Sequence, residues 1–140
     1  MKRWDIKPIL SVVFFILTFS LMTFLILTND TQREETVFFT RIGMDEAKAH
    51  LEADDDIILV DVRTADEFSL MRIPNSISIP LDELEESIAI IIPNKDQKIF
   101  VYCQSGNRSQ TASQILVDLG YTNVYEIGGI LDWAGDIEYE

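Results

Sequence analysis

Lys98-Ile99-Phe100-Val101-Tyr102-Cys103-Gln104-Ser105-Gly106-Asn107-Arg108-Ser109, followed by a helix-like run from Gln110 to Leu119, is the stretch that decides the fold. Ile99 to Tyr102 is short, uniformly apolar and rich in β-branched and aromatic residues, the pattern of a strand buried on both faces of a parallel sheet. Ala112, Ile115, Leu116 and Leu119 recur at helical spacing, and Gly120 follows as a residue suited to ending a helix. The single cysteine of the chain therefore closes a strand and opens a loop that feeds a helix N-terminus. Open α/β sheets bind their ligands at that place.

The chemistry follows from this position. A loop of Gly106 and small polar residues can turn successive backbone N–H groups inward, forming an anion nest that the next helix's dipole reinforces. A cysteine held there titrates at roughly 3.5–7.5 instead of about 8.5, so Cys103 is expected to be largely thiolate near neutral pH. Arg108 brings the loop its one full positive charge. The same cradle would receive an anionic substrate and stabilise charge developing during attack. A lone cysteine at a strand end is more often a small buried hydrophobe, so the weight falls on its neighbours. Phe100-Val101-Tyr102-Cys103, continued by Gln104-Ser105-Gly106-Asn107-Arg108-Ser109, resembles the active-site loop of the rhodanese (thiosulfate sulfurtransferase) family.

Composition frames the rest. The 140 residues, 47% of them hydrophobic, suit one compact domain plus an anchor. The net charge is −13, with +2 on residues 1–29 (Lys2, Arg3 and Lys7 against Asp5) and −15 on residues 30–140. Such an acidic body argues against nucleic acid and against lying on anionic lipid. One cysteine excludes an intramolecular disulfide, a Cys-x-x-Cys redox pair and a multi-cysteine zinc site. His50, without a second histidine, reads as a surface residue and no metal is expected.

Ile9 to Leu27 is apolar apart from Ser and Thr, and no charge falls between Lys7 and Asp30, which is about the length that crosses a bilayer core as a helix. A cleaved signal peptide has a shorter apolar core of about 7–15 residues and a small-residue cleavage site. Leu27-Thr28-Asn29-Asp30 lacks one, so an uncleaved signal anchor is preferred. Positive residues before the span put the N-terminus in the cytoplasm and the domain outside it. The expected organisation is a cytoplasmic N-terminus (1–8), a transmembrane anchor (9–28), a polar linker (29–37) and a domain over 38–140.

Within that domain, Val37-Phe38-Phe39 reads as the first strand or its lead-in. Met44 to Ala53 places Met44, Ala47 and Leu51 on one face of a short helix. Asp54-Asp55-Asp56 reads as a solvated turn, and Ile57 to Arg63 as a buried strand ending in charge. Thr64 and Glu67 form a capping box, with Phe68 expected to turn to the core. Asp61 and Arg63 read as a structural ion pair joining strand to helix, in preference to a catalytic role. Ile77-Ser78-Ile79 before Pro80 is a short edge strand, and Leu81 to Ile92 is helix-like with acids in its first turn. Ile88 to Ile91, broken only by Ala89, is long for one face and either packs beneath the loop or meets a partner. Asn123 to Ile127 is the last strand, and Gly128-Gly129-Ile130-Leu131-Asp132-Trp133 is expected to begin a terminal helix.

Alternating strands and helices predict an α/β fold with a parallel sheet covered by helices on both faces, preceded by one transmembrane helix. The resemblance to the rhodanese family extends from about Phe39 to Trp133. It rests also on Asp61-Val62-Arg63 with Glu67-Phe68, on Ile73-Pro74 with Ile77 and Ile79-Pro80, and on Gly128-Gly129-Ile130 with Trp133. Met71-Arg72 and Asn75 depart from the Gly-His and Gly that commonly flank Ile-Pro in the family.

The resemblance implies a sulfurtransferase without cofactor. Cys103 would take a sulfane sulfur from a small anionic donor such as thiosulfate as a persulfide and pass it to a thiol, cyanide-like or protein acceptor. Gln104, Ser105, Gly106, Asn107, Arg108 and Ser109 would bind the substrate. A Cys-dependent phosphatase or arsenate reductase and a non-catalytic binding module are the alternatives. Against the phosphatase stands the spacing: such enzymes usually place the arginine six positions after the cysteine, whereas Arg108 follows Cys103 by five.

Overall fold

The computed structural model describes residues 38–140 and, before them, Ile16 and Thr18. Its elements are β1 (Thr40–Arg41), α1 (Met44–Ala53), β2 (Ile58–Asp61), α2 (Ala65–Leu70), β3 (Met71–Arg72), β4 (Ile77–Ser78), α3 (Leu84–Ile91), β5 (Ile99–Cys103), α4 (Asn107–Asp118), β6 (Val124–Gly129), a 3-10 turn over Ile130–Asp132, and β7 (Glu138–Tyr139). The main sheet has the order β1-β6-β5-β2-β4, and every pairing in it is parallel. β5 is central and buried at every residue.

Side chains that alternate along β5 divide the core in two. Ile99, Val101 and Cys103 pack with Leu84 and Ile88 of α3 and with Ala112 and Leu116 of α4. Phe100 and Tyr102 point to the other face, where Met44 and Ala47 of α1, Ile73 and Ile127 meet them. The period of two in the strand thus fixes which helix covers which face. A fully buried aliphatic or aromatic side chain contributes about 1.5–3 kcal/mol, so β5 is a firm mount for the cysteine at its end.

Several expectations are revised. α4 starts at Asn107, three residues before the expected Gln110, because Gly106 turns the chain into the helix with φ 98°. α3 starts at Leu84, after a turn over residues 81–83. It buries Leu84 and Ile88 and leaves Ile90 and Ile91 exposed. No terminal helix follows the glycine pair. β6 runs through Gly129, and only the 3-10 turn comes next, since the Trp133 indole N–H donates to the Asp136 carbonyl at 3.0 Å and folds the chain back. Phe68 is half-buried on α2 instead of in the core; it lies under the Arg72 guanidinium, 5.3 Å from its ring centroid.

The antiparallel pairing of β3 with β7 carries no sequence periodicity and was not anticipated. Asn75 adopts φ 62°, a left-handed conformation asparagine tolerates better than most residues, so its departure from the family's glycine preserves the turn. The expected span over 9–28 lies outside the described residues apart from Ile16 and Thr18. Among the described residues no helix is long and apolar enough to cross a membrane.

Candidate active site

Cys103 ends β5 and is 1% exposed. The Gly106 N–H donates to its Sγ at 3.1 Å, and backbone groups of Ser105 and of Ser109, in the first turn of α4, also bear on the sulfur. Burial pushes the Cys103 thiol up. Backbone N–H groups of Ser109, Gly106 and Ser105 pull it down, and it sits below its ordinary value. The loop proper is Gln104, Ser105 and Gly106, whereas Asn107, Arg108 and Ser109 belong to the helix. Ser105 and Asn107 are exposed; Gly106 and Ser109 are buried.

Gly129 explains how β6 supports this loop. Its backbone is ordinary extended chain (φ −126°, ψ 146°), but a Cβ there would lie 2.6 Å from the Ser105 nitrogen. Only glycine lets the strand approach so closely. The next turn then donates from Leu131 N to the Gln104 carbonyl at 3.3 Å, pinning the loop.

Charges near the site are paired. Asp61 and Arg63 are both buried; Arg63 Nη2 meets Asp61 Oδ2 at 2.6 Å and the Met71 carbonyl at 2.7 Å. Arg63 thereby joins the end of β2 to the residue that follows α2. Arg108 does not stand free. Its Nη1 and Nη2 reach Glu67 Oε2 and Oε1 at 2.7 and 2.8 Å. The Arg108 guanidinium, helped by the Thr64 N–H and hydroxyl, holds the Glu67 carboxyl down at about 2 against the cost of its burial. Glu67 was legible as a helix cap, and the capping box is present; its second role as partner to Arg108 was not.

A third pair was missed altogether. Glu126 of β6 is 2% exposed. Its Oε2 accepts from Arg41 Nε at 2.8 Å, and its Oε1 accepts from the Ser109 hydroxyl at 2.6 Å and from Gly128 N at 2.9 Å. The available signal was one charge inside the apolar run Val124-Tyr125-Glu126-Ile127; in the structure it lies beside a register shift in the β5–β6 pairing. A recess of about 380 Å³ beside the loop is lined by Arg41, Ser105, Gly106, Gln110, Glu126 and Asp132 among others. A larger one of about 480 Å³, between α1, Pro74 and Trp133, includes none of residues 103–109.

A parallel sheet with a buried, hydrogen-bonded thiol at the C-terminal end of its central strand defines a class of cysteine-centred α/β domains. The rhodanese-like domain family model matches residues 43–136, and the chain belongs to that family. It is 39% identical over 75 residues to the thiosulfate sulfurtransferase PspE of Escherichia coli, covering 54% of this chain and 72% of that protein. It is 41% identical over 81 residues to the adenylyltransferase and sulfurtransferase uba4 of Ogataea parapolymorpha, where it spans 57% of this chain and 21% of the longer protein. A solved structure of a rhodanese with anions from E. coli superposes with a TM-score of 0.57 at 34% identity, covering 60% of this chain and 99% of that one. Rhodanese-type enzymatic activity, with sulfur transfer through a cysteine, is supported at the level of the family.

Proposed function

We propose that the chain is a thiosulfate-type sulfurtransferase whose nucleophile is Cys103. The observation that carries this reading is the Gly106 N–H donating to Cys103 Sγ at 3.1 Å at the mouth of a helix N-terminus. A thiolate there attacks the outer sulfur of thiosulfate. The sulfur–sulfur bond of the donor breaks, sulfite leaves with the electron pair, and Cys103 carries a persulfide. A thiolate or cyanide acceptor then attacks the outer sulfur, and Cys103 departs as thiolate. Gln104, Ser105, Gly106, Asn107 and Ser109 supply polar groups around the transferred sulfur, and Asp61 with Arg63 holds the adjoining strand end. The likeness to an E. coli rhodanese with anions supports an anion-receiving loop.

The test is mass spectrometry of the purified protein after thiosulfate. One added sulfur on Cys103, removable by cyanide, is the expected result. Aryl phosphate hydrolysis that vanishes in Cys103→Ser, with no sulfur added, would replace this reading by the phosphatase.

The apolar run over residues 9–28, flanked by Lys2, Arg3 and Lys7 on one side and Asp30, Glu34 and Glu35 on the other, supports a signal anchor with the domain outside the cytoplasm. Protease added to intact cells, after permeabilising any outer membrane, should digest the domain and spare the N-terminus. A domain that resists until lysis would reverse the orientation.

A further inference from the structure

The mechanism above leaves unused a buried carboxylate, that of Glu126, one hydroxyl away from the sulfur. Ser109 Oγ carries one proton and has four acceptors in reach: Glu126 Oε1 at 2.6 Å, the Gly106 carbonyl at 2.9 Å, the Gly128 carbonyl at 3.3 Å and Cys103 Sγ at 3.7 Å. The separation from Glu126 is that of a charge-assisted O–H···O⁻ bond, so the proton goes there. Ser109 then turns lone pairs toward Cys103 and accepts from the thiol. When the thiol ionises, that hydroxyl can donate to the sulfur only by leaving Glu126.

We propose that Glu126, held by Arg41 and acting through Ser109, is a positioning residue that sets how readily Cys103 gives up its proton. It opposes the thiolate twice, by its own negative charge and by holding the one hydroxyl proton that could turn to the sulfur. Arg41 moderates both effects, because the guanidinium at 2.8 Å offsets the charge and weakens the carboxylate as an acceptor.

The other charged and titratable groups around the thiol do not duplicate this role. Asp61 of β2 is bound to Arg63, and Glu67 of α2 to Arg108 of α4. The Tyr102 hydroxyl accepts from Ile73 N. Asp132 lines the recess that Glu126 shares with Arg41. Of these pairs, Arg41–Glu126 is the one hydrogen-bonded to a group that itself reaches the sulfur. Its cation is 57% exposed and its anion 2%, so the buried charge is governed by a residue at the surface.

The inference rests on Cys103 as the nucleophile, but its test follows the thiol alone. The full-length protein is alkylated with iodoacetamide across a pH series and the adduct is counted by mass. The chain has one cysteine, so the midpoint belongs to Cys103. Glu126→Gln keeps an oxygen for Ser109 and Gly128 and removes the charge; the midpoint should fall by about one pH unit. Arg41→Ala leaves the carboxylate unopposed, and the midpoint should rise, with Arg41→Lys restoring most of it. A merely structural pair would move both variants the same way. Shifts of one sign, or an unchanged midpoint in Glu126→Gln, overturn the inference. Should Glu126→Gln not fold, Arg41→Ala decides, since a fall or no change there overturns it equally. Opposite shifts in a protein that gains no sulfur from thiosulfate would refute sulfur transfer and leave this inference standing.

Discussion

Gly129→Ala isolates the close approach of β6 to the cysteine loop. The backbone there has φ −126° and ψ 146°, which alanine adopts freely, so the substitution carries no torsional cost. Its effect comes from one methyl group placed 2.6 Å from the Ser105 nitrogen and 2.5 Å from the Ser105 Cα. Ordinary contacts begin near 3.5 Å, so the loop must retreat by roughly 1 Å. That movement breaks the 3.3 Å bond from Leu131 N to the Gln104 carbonyl and draws the Gly106 N–H off the sulfur. Overpacking of this kind costs about 1–3 kcal/mol, to be read as a lowered midpoint in urea. Misplacing a reacting group by about 1 Å costs on the order of 100-fold in rate, to be read in thiosulfate:cyanide transfer. The stability loss is modest because the strand and its core residues stay in place, whereas the rate loss is large. Wild-type transfer in a folded Gly129→Ala protein would show that the loop does not depend on this contact.

Cys103→Ser should retain the fold and lose both persulfide and transfer; residual transfer would assign the nucleophile elsewhere. Glu67 has its carboxyl held down at about 2 against an ordinary 4.5, so the stability it contributes is complete above pH 4.5 and declines as the pH falls toward 2. Glu67→Gln should therefore differ from wild type in urea at neutral pH and converge with it in acid; a difference that persists unchanged at the acid end would contradict the assignment. Arg108→Ala leaves Glu67 unpaired at the rim and should raise the KM for thiosulfate about fivefold, equivalent to ~1 kcal/mol, with a smaller change for an uncharged donor. Equal losses for both donors would give Arg108 a purely structural role.

What the sequence disclosed was whatever has a local pattern. The uniform apolar run of β5, the periodicity of α4 and the Thr64–Glu67 box were legible because their causes lie within a few residues. Phe68 was misjudged because a helical residue next to a cap can face either the core or a neighbouring side chain, and Arg72 captured it. The terminal helix failed for a related reason: nothing in Gly-Gly-Ile-Leu-Asp-Trp announces that the Trp133 indole will bond to the Asp136 carbonyl. At the site, Cys103 and its loop are contiguous, so the sequence alone places them together at the end of a strand. Glu126 reaches Ser109 from β6 and Arg41 reaches Glu126 from β1, and that coincidence depends on the order β1-β6-β5.

The pairing of charges bears on how such a domain receives an anion at all. Residues 30–140 carry −15, a field that repels thiosulfate at long range. Arg108 was the evident remedy from the sequence, but a bidentate partner cancels most of its charge, as Asp61 does for Arg63 and Glu126 for Arg41. What remains uncancelled at the sulfur is a set of backbone N–H groups on the Gly106 turn and the first turn of α4. These are dipoles fixed by the fold, effective within a few ångströms and little altered by the acidity of the surface. In the proposed reaction they would also stabilise a thiolate, a persulfide or a departing sulfite without binding any of them as tightly as a free guanidinium would. If the chain holds sulfur and then surrenders it, as proposed, donors that cannot follow the leaving group serve it better.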